Sequence, residues 1–302
     1  MTAELRLGPL VVQVDGGPLT RVFVLFGDPV THSRSPRLQN AAFRALGLNA
    51  TYVACAVPGA ALQAVFADLR AAAGAGYIGG ANVTVPHKQA VLPFLDGLDS
   101  TAALAGAVNT IRVASRTDGV ELRGDNTDVE GLVRALAEQG VGLAGARLVV
   151  VGAGGMARAA VVAAFRAGAL EVRVCSRDPL RAQDLLDTLS MAWTGRVPAL
   201  ACGGLETGSA WLADADLLVH ATPLGLHAGD PAALLLDRAQ PGLFVYDAVY
   251  GAATTPLVRA AAARGLRAVD GRTLLLHQGA AAFTLWTGLD APLDAMRSAL
   301  GL

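Results

Sequence analysis

The chain has 302 residues, a net charge of −1, and 53% hydrophobic against 16% charged residues. That balance excludes a disordered chain and lacks the basic stripe of a nucleic-acid binder or a polybasic membrane anchor. The length suggests two domains, each large enough for its own core.

Taken in chain order, residues 1–20 read as a short extension, in which Glu4, Arg6, Pro9 and Asp15 break any signal-peptide pattern. Residues 22–26 are apolar and predict a buried strand, ended by Gly27-Asp28-Pro29. Residues 36–46 predict a helix with Ser35 as its cap and Gly47 as its stop. A strand over 51–56, a helix over 59–73 and a glycine-broken strand over 78–85 follow. Residues 89–95 and 99–105 predict short helices. Residues 108–113 and 120–123 predict strands around a turn at Thr117-Asp118-Gly119. This alternation predicts an α/β domain with a mainly parallel sheet.

A helix over 129–139 ends at Gly140, and a second unit begins. Residues 147–151 form an apolar strand, 156–167 a helix stopped by Gly168, 170–175 a strand and 177–189 an amphipathic helix. Later strands fall at 217–221 and 243–247, and a later helix at 256–264. No run of about 18 apolar residues is free of polar interruption, so no membrane-spanning helix is expected; the most tempting run, 273–289, carries His277 and Gln278. Cys55, Cys175 and Cys202 match no zinc or redox spacing and read as buried structural thiols. The five histidines form no HxxH or HExxH pair, so no metal site is expected. A cytoplasmic protein acting on a small molecule, without nucleic-acid or membrane partners, fits all of this.

Gly152, Gly154 and Ala157 match G-x-G-x-x-A between a strand and a helix. The first glycine permits a tight turn, the second lets a pyrophosphate approach the backbone, and the small third residue lets helix and strand pack closely. The phosphates then meet the free N–H groups of a helix N-terminus, so Ala153, Gly155 and Met156 belong to the same loop. At the end of the next strand, an NAD reader places an acid on the ribose hydroxyl. Here the residues are Ser176, Arg177 and Asp178, with Arg181 four residues after Arg177. Two guanidiniums one helical turn apart suit a 2′-phosphate and favour NADP. Asp178 is the contrary signal, and Arg181 could instead pair with Asp184 or Asp178.

Three polar segments stand out in the apolar first half: His32 to Pro36, Asn82 to Lys88, and Asn109-Thr110 with Gly124 to Asp128. Asn82 and Thr84 alternate with Val83 and Val85 and so share one face of a strand. Of 24 basic residues only Lys88 is a lysine, and a lysine, unlike an arginine, can hand over a proton. Singly, each segment is ordinary loop chemistry. Together, hydroxyls, amides, one amine and carboxylates suit a small polyhydroxylated ligand.

At these segments the sequence resembles the shikimate dehydrogenase family. The resemblance rests on Ser33-Arg34-Ser35-Pro36, Asn82 to Lys88, Gly106 to Thr110, Gly124 to Asp128, Gly152 to Gly155, Ala221 to Gly225, Asp247 to Tyr250, and Leu276-His277-Gln278. It implies two α/β domains. The substrate domain comprises residues 1–128 with 273–302, its C-terminal helices packing back on it. A Rossmann-like NADP-binding domain spans residues 129–272, and the substrate lies in the cleft. It further implies that Ser33 and Ser35 hold a substrate carboxylate, that Asn82, Thr84, Asn109 and Gln278 bind ring hydroxyls, that Tyr250 touches substrate, and that Lys88 and Asp128 are the catalytic pair. Ala221, Thr222, Pro223 and Gly271 join the cofactor set.

The implied reaction is NADPH-dependent reduction of 3-dehydroshikimate to shikimate, on the route to chorismate and aromatic amino acids, by a monomer or homodimer. Ser35, rather than threonine or glycine, resembles the shikimate-preferring pattern. An NAD-dependent quinate/shikimate dehydrogenase is the near alternative. A non-catalytic NADP-binding sensor is the remote one, which loss of Lys88 or Asp128 would signal; both are present. The chain departs from the family pattern at His220, where asparagine is common, at Gln39, where histidine is common, and in the Gly-Ala-Ala after Tyr250.

Overall fold

A computed structural model describes residues 2–15, 17, 19–117, 119–227, 229–251 and 253–302. The chain divides into two compact units, Met1–Thr127 with Leu276–Leu302, and Asp128–Leu275.

The first unit opens with an antiparallel hairpin, β1 (Thr2–Leu7) and β2 (Leu10–Asp15), where a short extension was expected. The hairpin lies on the core: Leu7 is fully buried, and Leu5 and Leu10 pack against the same cluster. Gly8 turns it at φ +58° and donates its N–H to Asp68 Oδ2 at 2.7 Å.

There follow β3 (Arg21–Gly27), α1 (Ser35–Ala45), β4 (Ala50–Ala56), α2 (Leu62–Gly74) and β5 (Ile78–Val83), then β6 (Gly97–Leu98), α3 (Ser100–Ala105), β7 (Thr110–Arg116) and β8 (Gly119–Asp125). The sheet order is β4-β3-β5-β7-β8-β6. β3 runs parallel to β4 and β5, and β6 to β8; β7 is antiparallel to both its neighbours. β3 is buried from Val22 to Gly27 because both faces of the sheet are covered, which is why it reads as a continuous apolar run.

The structure corrects several local expectations. Ser35 is the first residue of α1, not its cap; Arg34 holds the cap position without a side-chain cap bond, and the hydroxyl of Ser33 accepts the Ser35 N–H at 3.2 Å. Residues 89–95 form turns and one 3₁₀ turn, Leu92–Phe94, centred on Pro93, which cannot donate to an α-helical ladder. The strand expected over 78–85 ends at Val83, and the one expected from 108 begins at Thr110. Asp118, of the expected hairpin turn, lies outside the described residues.

The second unit comprises α4 (Asp128–Glu138), β9 (Arg147–Val151), α5 (Gly155–Ala167), β10 (Glu171–Cys175), α6 (Pro179–Ala192) and β11 (Ala199–Gly203), then α7 (Leu205–Trp211), β12 (Leu217–His220), β13 (Phe244–Asp247), α8 (Pro256–Ala263) and β14 (Arg267–Val269). All its strands are parallel, in the order β11-β10-β9-β12-β13-β14. This is the doubly wound arrangement, whose order reverses between β9 and β12.

The chain ends in α9 (Arg272–Thr287) and α10 (Leu293–Leu300). From Leu276 onward these helices belong to the first unit. Phe23 of β3 packs in tilted contact against Phe43 of α1 and Trp286 of α9, with ring centroids 4.9 and 5.0 Å away. Two glycines make that possible: a Cβ on Gly79 would lie 2.3 Å from the Phe23 ring, and one on Gly80 2.3 Å from Trp286 Nε1. Trp286 Nε1 donates to Ile111 O at 3.0 Å, and Gln39 Nε2 to Gly279 O at 2.9 Å. The C-terminal helices thus pack back on the first sheet, as the resemblance implied. No described helix is long and apolar enough to cross a membrane.

Cys55 and Cys175 are buried, and burial pushes their thiols up to about 11 and about 12. Cys202 departs from expectation in being only half-buried, its Sγ 2.8 Å from Gln183 Oε1.

Candidate active site

In the first unit the carboxyl ends of β3 and β5, the start of β7 and the end of β8 lie at one edge of the sheet. The register fixes this: Leu25 pairs with Asn82, Asn82 with Thr110, and Thr110 with Asp125. Ligands of α/β sheets bind outside the carboxyl ends of parallel strands. The segments carrying Ser33, Asn82 to Lys88, Asn109 and Thr127 all emerge there.

The side chains at this edge form a buried frame. Tyr52 OH donates to Asn82 Oδ1 at 2.7 Å. Asn82 Nδ2 donates to Asn109 O at 2.9 Å and Thr110 Oγ1 at 3.0 Å. Asn109 Oδ1 accepts the Thr127 N–H at 2.8 Å, while its Nδ2 donates to Thr127 Oγ1 at 2.9 Å and to Gln278 Oε1 at 3.4 Å. Asn126 Nδ2 holds Ala107 O at 2.9 Å. The amide hydrogens of Asn82 and Asn109 are therefore spent on the protein. Asn109 Oδ1 is also taken, by the Thr127 N–H and by the Thr127 and Thr110 hydroxyls at 3.1 Å each, while Asn82 Oδ1 accepts from Tyr52 and keeps a lone pair for a ligand. Below this frame, Arg112 grips the buried Asp125 through two parallel bonds of 2.7 and 2.9 Å, the stronger bidentate form of such a pair.

The hydroxyls behave differently. Among the described residues, those of Ser33, Ser35 and Thr84 donate to no protein group. Thr84 turns its methyl toward Gly27, where a Cβ would lie 2.3 Å away.

Lys88 is half-buried, and its backbone is held on both sides. Its carbonyl accepts the Val108 N–H at 2.7 Å, and the preceding His87 ring donates Nε2–H to Val57 O at 2.6 Å. Sequence reasoning missed His87 and Tyr52 as parts of the site. His87 carried a signal, standing beside Lys88. Tyr52 carried little, being one aromatic residue in an apolar strand. Replacing Tyr52 by phenylalanine strands one acceptor of Asn82 in the interior. Urea unfolding of Tyr52→Phe is expected to show a loss of about 1–3 kcal/mol, and unchanged stability would remove Tyr52 from the frame.

The second unit holds the glycine loop, running from β9 into α5. Gly152 has φ +121°, and a Cβ there would lie 2.9 Å from both Ala221 O and Thr222 Cγ2. Above Gly154 a Cβ would meet nothing within 4 Å, so the backbone faces open space. Ala157 is fully buried against the sheet. No side chain caps the first turn of α5, which leaves its N–H groups for an anion; Ala153, Gly155 and Met156 complete the half-buried loop. These features fit a dinucleotide pyrophosphate.

At the end of β10, Ser176 Oγ donates to Asp178 O at 2.5 Å, and Asp178 Oδ1 accepts the Leu180 N–H at 3.1 Å. Asp178 is thus the cap of α6. Arg177 lies two residues ahead of the helix, so it and Arg181 are not stacked one helical turn apart, as the spacing suggested. Both are exposed, and among the described residues neither has an ion-pair partner. Asp184 lies 4.0 Å from Arg158 instead. Ala221, Thr222 and Pro223 follow β12 beside Gly152. Gly271 is pressed onto the backbone after β13, where a Cβ would lie 2.2 Å from Ala248 O. Tyr250 is half-buried after β13, and Asp128 is buried at the start of α4, one residue beyond the frame residue Thr127. Among the described residues no group of His, Cys, Asp and Glu could hold a metal ion.

A family profile described as the shikimate dehydrogenase substrate binding domain matches residues 25–111, and one described as the shikimate 5′-dehydrogenase C-terminal domain matches residues 271–300. A shikimate dehydrogenase (NADP(+)) of Rubrobacter xylanophilus is 45% identical over 291 residues, covering 96% of this chain and 98% of its own. The crystal structure of shikimate 5-dehydrogenase from Thermus thermophilus, in complex with NADP(H) and shikimate, is similar with a TM-score of 0.78 and 34% identity, over 93% of this chain and 98% of that one. Quinate dehydrogenase from Corynebacterium glutamicum, in complex with NAD, gives a TM-score of 0.81 and 33% identity, over 94% of this chain and 99% of that one. Identity at this level runs along nearly the whole length, and the substrate-domain profile covers the segments bearing Ser33, Asn82, Lys88 and Asn109: the chain belongs to the shikimate dehydrogenase family.

Proposed function

We propose that this protein catalyses the reversible NADPH-dependent reduction of 3-dehydroshikimate to shikimate, working in the cytoplasm as a monomer or homodimer. The observation that carries the reading is the sheet edge where Lys88 follows a strand whose asparagine amide is tied into a fixed frame while three nearby hydroxyls keep their hydrogens to give. Residues 1–128 with 273–302 form the substrate domain, and residues 129–272 the NADP domain.

Ser33 and Ser35 donate their hydroxyl hydrogens to the substrate carboxylate. Thr84 and Gln278 bind ring hydroxyls directly. Asn82, whose N–H groups are engaged, receives a hydroxyl hydrogen on its remaining oxygen lone pair, and Asn109 lies beside it at the ring hydroxyls, its amide fixed by Thr127 and Thr110. Tyr250 contributes a contact from the substrate side. When bound, NADPH supplies the hydride that reduces the ring ketone. Lys88, as ammonium, gives a proton to the oxygen that becomes the alcohol, and as neutral amine takes it back in the reverse direction. Asp128 orients Lys88 and hydrogen-bonds the same oxygen.

Gly152 to Ala157 hold the pyrophosphate, with Ala221, Thr222, Pro223 and Gly271 completing the cofactor set. Ser176, Arg177 and Arg181 hold the 2′-phosphate. The capping role of Asp178 supports NADP, because its carboxylate already serves α6.

The deciding experiment follows nicotinamide absorbance with shikimate or quinate and with NADP or NAD. Fast turnover of shikimate with NADP is expected. Preference for quinate with NAD would transfer the protein to the neighbouring activity, and ligand binding without turnover would make it a sensor. Arg177→Ala is expected to raise the Kd of NADP about 10- to 100-fold, the loss of one hydrogen-bonded charge, with the Kd of NAD unchanged. Titration calorimetry with both cofactors checks this, and equal effects on the two would remove Arg177 from the phosphate site.

A further inference from the structure

One buried histidine takes no part in the steps above. His220 ends β12, and it and Asp247 beside it are each 1% exposed. His220 Nδ1 lies 2.8 Å from Asp247 Oδ1, and its Nε2 lies 2.5 Å from Thr222 Oγ1. Asp247 also accepts the Val249 N–H on Oδ1 at 3.0 Å and the Thr255 hydroxyl on Oδ2 at 2.6 Å. A carboxylate only accepts, so all three neighbours donate to it, and the ring hydrogen sits on Nδ1. In the neutral ring Nε2 is then an acceptor and takes the hydroxyl hydrogen of Thr222.

Thr222 is fixed from two other sides. Its oxygen accepts the Leu224 N–H at 3.2 Å. Its methyl stands against Gly152, where a Cβ would lie 2.9 Å away. The hydroxyl therefore points its hydrogen inward and keeps a lone pair for whatever lies outside the end of β12. β12 flanks β9 on the side opposite β10, whose end carries Ser176 and Arg177. A dinucleotide lying across this point of reversal puts its adenosine half over β10 and its nicotinamide half over β12.

We propose that His220 is a positioning residue that locks Thr222 as a hydrogen-bond acceptor for a donor on the nicotinamide half of NADP, its carboxamide N–H or a ribose O–H. This rests on the reading of Ala221 to Pro223 as cofactor contacts.

The test compares NADP binding by calorimetry in the wild type, Thr222→Val, His220→Asn and the double variant. Asparagine reaches Asp247 as Nδ1 does but falls short of Thr222. Each single variant is expected to weaken NADP about tenfold, and the double variant no more than either alone, because both remove one shared acceptor. An NADP analogue carrying acetyl in place of carboxamide separates the two donors. If the carboxamide is the partner, the variants bind the analogue as the wild type does; if a ribose hydroxyl is, they bind it as weakly as they bind NADP. Nitrogen-15 spectra of the His220 ring should show Nδ1 protonated and Nε2 bare.

Additive losses in the double variant, unchanged binding in Thr222→Val, or a hydrogen on Nε2 would overturn the proposal. Should His220→Asn fail to fold, Thr222→Val and the ring spectrum still decide. A wild type that does not bind NADP overturns the cofactor reading itself, whereas normal wild-type binding with an indifferent Thr222→Val overturns only this inference.

Discussion

Lys88→Arg is expected to fold, to bind NADP with unchanged affinity, and to turn over shikimate about 10²- to 10⁴-fold more slowly, the range that general acid–base catalysis supplies. Arginine keeps the positive charge and can still attract the substrate oxygen. It does not give up a proton in a protein, so it acts neither as the acid in reduction nor as the base in oxidation. The backbone at this position is fixed by the Val108 N–H and by the His87 ring, so a longer, planar head group cannot be accommodated by shifting the loop. The measurement is kcat in both directions, alongside thermal midpoint and NADP affinity. Near-normal kcat would make the survival of one lysine among 24 basic residues a matter of coding bias.

The second large effect separates two glycines of the same loop. Gly152→Val places a β-branched side chain at φ +121° and drives it against Ala221 O and Thr222. Backbone strain and overpacking each cost about 1–3 kcal/mol, so the variant is expected to lose both stability and NADP binding. Gly154→Ala meets only open space at φ −94°. It is expected to unfold within about 1 kcal/mol of the wild type, the scale of an N-cap exchange, while NADP affinity falls about 100-fold or more, as a loss of about 3 kcal/mol implies. Urea unfolding and calorimetry on the pair check this. If Gly154→Ala bound NADP normally, the pyrophosphate would not lie on this turn.

Much of the fold was legible because burial wrote it into the sequence. β3 and β9 are covered on both faces, so their apolar runs stand out whatever surrounds them. Gly140 and Gly168 announced helix ends through the positive φ they adopt. The N-terminal hairpin was missed although Leu5 and Leu7 alternate with Glu4 and Arg6 ahead of a Gly-Pro turn, because the second strand opens on Leu10-Val11-Val12, which breaks the alternation. Residues 89–95 misled because their composition is helical while Pro93 forbids the ladder.

The site shows the same division. The Ser33, Asn82, Asn109 and Gly152 segments announced themselves as polar or glycine-rich interruptions. Their division of labour did not, because it depends on partners far apart in the chain. Tyr52 lies 30 residues before the asparagine it holds. Asp178 looked like a ribose ligand, and only the geometry of its bond to Leu180 shows a helix cap.

The paired glycines of β5 bear on how the chain is made. Gly79 and Gly80 leave a trough in the first sheet that Phe23 and Trp286 fill, and Trp286 is synthesised some two hundred residues later. The second unit is continuous in sequence and is finished before the last helix leaves the ribosome. Domains generally fold as units during synthesis, N-terminal first. Here that order is inverted: the sheet made first waits longest for its cover, its apolar trough open throughout the synthesis and folding of the intervening unit. Translation that stops within α9, just after Leu275, therefore releases a nascent chain with a finished second unit and an exposed, sticky first sheet, which is the species that chaperones and proteases would meet.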